Sequence, residues 1–132
     1  MTPMAATVAA APPALPAAVG RLVRDLGYPL LEADDAPWRD DSAPWVVFLP
    51  GHGRGNAETA DIAVILPELL ATVGGALRPA VAGAAAERAL VERAGGLALP
   101  ALMILRGDAV LDSIPRVRDW GDYRARIAAI LR

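Results

Sequence analysis

The sequence predicts an α/β domain with a mixed central sheet flanked by helices, and three observations predict it. Trp45-Val46-Val47-Phe48-Leu49 is a continuous apolar run of strand length, the pattern of a central strand in a parallel sheet. Gly95 to Ile114 reads as a loop closing on Pro100, an apolar strand, a tight Arg106-Gly107-Asp108 turn and a second strand. Glycine accepts the positive φ of such a turn, so the sheet also holds an antiparallel hairpin. Between these runs, apolar residues recur at helical spacing. The expected order is α-β-β-α-β-α-β-β-α.

Ala17 to Leu26 puts Val19, Leu22, Val23 and Leu26 on one helical face, and Gly27 suits its C-terminal stop. Tyr28-Pro29-Leu30-Leu31 follows as a short strand. Glu32 to Ser42 is polar and acidic, with Pro37 and Trp38 inside it, and reads as a loop. After the central strand, Pro50 to Asn56 is a glycine-rich loop. Ala60 to Val73 is helical, with Ile62, Ile65, Leu66, Leu69 and Leu70 inward; Pro67 in its interior removes one backbone bond and predicts a kink. Arg78 to Gly83 is a weak strand and Ala84 to Ala94 a helix. Pro100 cannot donate to a ladder and belongs at or before the first strand position, with a cis bond to Leu99 within reach. Asp119 caps a final helix to Leu131, where Asp122 also suits the positive end of the dipole. Tyr123, Ile127, Ile130 and Leu131 form its buried stripe.

At 132 residues the chain is long enough for one domain with its own core. Residues 1–15 read as a disordered Ala/Pro-rich tail and 16–132 as the domain. The start superficially resembles a signal peptide but lacks a basic n-region and is broken by Pro3, Pro12, Pro13 and Pro16, so a cytoplasmic protein is expected. No run approaches a membrane span. A net charge of −2 argues against nucleic acid as a partner. Zero cysteines exclude dithiol chemistry, and one histidine makes a histidine-rich metal centre unavailable from this chain, so no cofactor is expected.

The histidine, His52, lies in Gly51-His52-Gly53-Arg54-Gly55, between strand and helix, where phosphate loops also live. The loop matches neither phosphate-binding pattern, and it reads as a connector. No serine or cysteine nearby in sequence pairs with His52 as a nucleophile, so a small enzyme built on His52 is the minor alternative. Charge is uneven. From Asp25 to Glu68 nine acids face two arginines, whereas from Leu69 onward nine arginines face six acids. That acidic half is either a solvated surface or a docking surface for a basic peptide.

A helix, a proline loop, a hairpin and a last helix in this order resemble the C-terminal half of a thioredoxin-like domain. In catalytic thioredoxins a Cys-x-x-Cys pair opens the helix after the central strand, with a proline five residues beyond. Counting back from Pro67 lands on Ile62 and Thr59, so Thr59-Ala60-Asp61-Ile62 stands in place of the redox pair. The chain is more closely similar to the HyaE/HupG hydrogenase expression/formation family. Trp45 to Gly51, Glu58 to Leu69, Leu99 to Leu102 and Ile114 to Tyr123 carry that resemblance, which spans roughly residues 16–132. It implies a thioredoxin-like, non-catalytic chaperone that binds the small subunit of an uptake nickel–iron hydrogenase through its twin-arginine signal peptide. On the expected fold, Leu99 and Pro100 would form the peptide groove, Glu58 and Asp61 would meet its basic end, and Trp38 and Trp120 would be apolar contacts. Core packing is the plainer reading of both tryptophans. A generic adaptor, or a scaffold that forms a homodimer, is the remaining alternative.

Overall fold

The computed structural model describes residues 15–53 and 56–132. The expected tail thus lies outside the described residues except for Leu15, and so do Arg54 and Gly55. The elements are α1 (Ala17–Arg24), β1 (Leu30–Leu31), a 3₁₀ turn (Pro37–Asp40), β2 (Trp45–Leu49), α2 (Ala57–Ala71), β3 (Arg78–Ala82), α3 (Ala84–Arg93), β4 (Ala101–Arg106), β5 (Ala109–Pro115) and α4 (Trp120–Leu131). The sheet order is β1-β3-β2-β4-β5. β3 runs parallel to β1 and β2, whereas β4 is antiparallel to both β2 and β5. This is the mixed, thioredoxin-like sheet that the sequence predicts.

The pleat sends alternate residues of the inner strands to two cores. Val46, Phe48, Val81, Leu102 and Ile104 meet Leu22 of α1, Ile62 and Leu66 of α2, and Tyr123 and Ile127 of α4. Val47, Leu49, Ala80, Ala82, Met103 and Leu105 meet Leu31, Trp38 of the 3₁₀ turn, and Ala86 and Leu90 of α3. The apolar run at β2 is continuous because both of its faces are covered.

Four expectations are corrected. Leu26 is 50% exposed, because α1 ends at Arg24 and Gly27 turns the chain at φ +74, taking residue 26 off the helical projection. β1 keeps two of the four expected residues. α2 begins at Ala57 instead of Ala60, since Asn56 Oδ1 accepts the Glu58 N–H at 2.8 Å and caps the helix earlier. It continues through Pro67 to Ala71. The acidic stretch from Glu32 to Ser42 is anchored by the 3₁₀ turn, which buries Trp38 to 3% exposure. Among the described residues, no helix is long and apolar enough to cross a membrane.

Candidate functional site

The site forms where the loops after β2 and α3 meet. Gly51, at φ +89, brings the β2–α2 loop against Leu99: a Cβ on Gly51 would lie 3.5 Å from the Leu99 Cβ. Leu99-Pro100 is cis. Pro100 is buried and its carbonyl accepts the Arg116 N–H at 2.7 Å, so the proline ring supports the corner and Leu99 supplies the accessible side chain. Among the described residues, the main-chain N–H and C=O of Leu99 make no hydrogen bond.

Glu87, from the first turn of α3, holds the facing loop. Its carboxylate is buried and accepts the Gly51 N–H at 2.7 Å on Oε1 and the His52 N–H at 2.8 Å on Oε2. Two charge-assisted bonds compensate the buried charge. His52 is fixed a third way, because its Nε2 lies 2.7 Å from the Ala82 carbonyl oxygen. The loop read as a plain connector is therefore tied to β3 and α3 at His52. Beside it opens a groove of roughly 870 Å³, lined by His52, Gly53, Val91, Gly95, Gly96 and Leu99 together with the outer turn of α3.

The positions corresponding to a redox pair are built into the protein. Thr59 is buried and donates its hydroxyl to the Pro50 carbonyl at 2.8 Å, and Ile62 is in the core. No thiol chemistry is available there.

The other expected contacts scatter. Trp38 is a core residue and does not line the groove. Trp120 is 41% exposed at the start of α4, and Asp61 is exposed on α2, but neither lines the groove. Glu58 is occupied internally. Its carboxylate takes both the Arg116 guanidinium and, at 2.9 Å, the Val117 N–H. The guanidinium first, then that N–H, hold its carboxyl below the ordinary carboxylate range. Arg116 itself sits at φ +62, a left-handed backbone that its bonds to Glu58 and Pro100 secure.

The acidic surface divides as well. Asp41 is spent on the Ala43 N–H, the Trp45 indole and Arg78, which together lower its carboxyl, the Ala43 bond foremost. Asp34, Asp35 and Asp40 line a shallow recess of roughly 440 Å³ beside the 3₁₀ turn. A smaller recess of roughly 280 Å³ lies between that turn and α3, lined by Asp34, Asp35, Arg39, Leu90 and Arg93 among others. α3 separates the smaller recess from the groove: Ala86, Ala89, Leu90 and Arg93 face one side, and Ala84, Glu87, Arg88 and Val91 the other. Sequence reasoning missed Glu87 and Val91. The available signal was the Ala84-Ala85-Ala86 start of α3, whose small side chains let a helix lie close to a sheet and a loop.

The family described as Hydrogenase-1 expression protein HyaE matches residues 18–123. Over 114 residues the chain is 41% identical to hydrogenase expression/formation protein HoxO of Azotobacter vinelandii, covering 86% of this chain and 76% of that protein. It is 36% identical over 115 residues to HupG of Rhodobacter capsulatus, covering 86% and 83%. The crystal structure of a hydrogenase expression/formation protein HupG from Rhodopseudomonas palustris superposes with a TM-score of 0.52 at 33% identity, covering 78% of this chain and 94% of that one.

Proposed function

The chain belongs to the HyaE family of hydrogenase expression proteins, and from that premise we propose that it chaperones the small-subunit precursor of an uptake nickel–iron hydrogenase. Its role is in hydrogenase maturation, exercised in the cytoplasm, by binding the precursor's twin-arginine signal peptide without catalysing a reaction.

One observation carries the peptide reading: an open groove runs beside Leu99, whose main-chain groups lack partners among the described residues. An extended segment laid there gains backbone bonds by strand addition and apolar contact with Val91 and Leu99. A twin-arginine leader supplies a basic end followed by roughly 7–15 apolar residues. Two exposed Arg–carboxylate pairs contribute about 0.4–2 kcal/mol in total, whereas micromolar binding needs about 8 kcal/mol. The apolar run in the groove therefore supplies most of the affinity. Asp34 and Asp35, across a helix about 10 Å in diameter, orient the arginines. Among the described residues, those lining the groove include no hydroxyl or thiol to partner His52 as a nucleophile, which favours a binding role over an enzymatic one.

The test is a pull-down of the small-subunit precursor with and without its leader. Capture of the leader-bearing form alone is expected. Equal capture of both removes the peptide claim, and equal capture of an unrelated twin-arginine leader removes the specificity claim.

A further inference from the structure

We infer that His52 sets the register of the segment in the groove by accepting one of its main-chain N–H groups at Nδ1, a role that rests on the peptide-binding reading above. The Ala82 carbonyl can only accept a hydrogen bond, so the His52 nitrogen 2.7 Å away, Nε2, carries the proton. In the neutral ring Nδ1 is then an acceptor, and among the described residues it has no donor.

The ring is held in this orientation. Glu87 takes the main-chain N–H groups of both Gly51 and His52, and Ala82 takes the ring. Both polar hydrogens of His52 are committed, so on the ring Nδ1 is the atom left to accept. His52 is half-buried, lines the groove, and follows the glycine that abuts Leu99. The main chain of Leu99 and the ring acceptor, neither with a partner among the described residues, are thus neighbours on one wall. A strand pairing with Leu99 presents an N–H toward the same wall at every second residue, about 6.6 Å apart. Slipping by one residue turns that N–H away and exchanges the side chains that face Val91. The acceptor therefore selects register, where the apolar surface alone tolerates sliding.

The experiment uses the full chain and a synthetic peptide of two arginines followed by about twelve apolar residues, titrated by calorimetry. His52→Gln keeps a donor for the Ala82 carbonyl but offers nothing at the Nδ1 position, and His52→Asn places an amide oxygen near Nδ1. Loss of one hydrogen bond predicts about tenfold weaker binding for His52→Gln, with an unchanged unfolding midpoint and partial recovery in His52→Asn. A scan of N-methylated peptides should find one position where methylation weakens wild type but not His52→Gln. Because the chain has a single histidine, its ring ¹⁵N signals are unambiguous. The free protein should show the Nε2-protonated form, and peptide should move the Nδ1 signal upfield. Wild-type binding that His52→Gln leaves unchanged, with no such position in the scan, overturns the register role and spares the peptide site. A wild-type chain that does not bind the peptide overturns both.

Discussion

On one side of α3, Ala86 and Leu90 share a core with Trp38, and Arg93 joins Arg39 in reaching Asp108 at the hairpin tip. On the other, Ala84, Val91, Leu99, His52 and Gly53 border an open groove. One helix presents both surfaces, so the difference lies in what each neighbouring loop contributes. The 3₁₀ turn contributes a single large indole, buried against Ala86 and Leu90, that leaves only the smaller recess. The loop after α3 contributes Gly95 and Gly96, at φ +74 and +107, where side chains would be strained and the space stays open. The closed side is finished by packing and the open side by backbone hydrogen bonds to a buried carboxylate.

That contrast can be broken first on the closed side. Trp38→Ala should cost about 3–5 kcal/mol in urea unfolding, because nothing else fills the volume. Trp38→Phe should stay within about 1 kcal/mol, since the indole Nε1 is buried with no partner among the described residues and loses no bond. On the open side, Glu87→Gln should cost about 2–3 kcal/mol by the same assay. Its amide can accept from one of the two N–H groups, while its own NH₂ faces the other. If the glutamine variant matched wild type, the groove wall would not depend on this carboxylate.

Leu99→Ser sharpens the comparison, because stability and binding should separate. We expect a stability loss of about 1 kcal/mol for a half-buried leucine, with about tenfold weaker peptide binding by calorimetry. The smallest effect belongs to Glu58, outside both surfaces. Its carboxyl is depressed in the folded protein, chiefly by Arg116. Its contribution is therefore complete above the unfolded value of about 4.3 and is lost as pH falls through the lower folded one. The stability difference between wild type and Glu58→Gln should shrink below about pH 4, as followed by denaturation at a series of pH values.

The sequence made β2 legible because five consecutive apolar residues have few uses other than a doubly covered strand. The hairpin was legible because Gly107 at φ +59 is the residue that such a turn requires. Trp38 was ambiguous: a lone aromatic among acids shows no periodicity, and its burial is decided by α3 and β4, far along the chain. Glu87 was hidden more completely. A glutamate in a helical Ala-Glu-Arg-Ala stretch reads as a solvated charge, and the two N–H groups that bury it come from a loop 35 and 36 residues away. Local pattern reports how a segment prefers to coil, whereas long-range satisfaction of backbone donors decides which polar side chain goes inside.

The two margins of the sheet are unequal: β1 ends it with two residues and β5 with seven. A margin two residues long offers scarcely any template for another chain to copy, which protects that flank against runaway edge-to-edge stacking. Edge-to-edge stacking of whole sheets is thereby confined to the opposite flank, where Pro115 withholds a donor at one end and Arg106 adds charge beside the other.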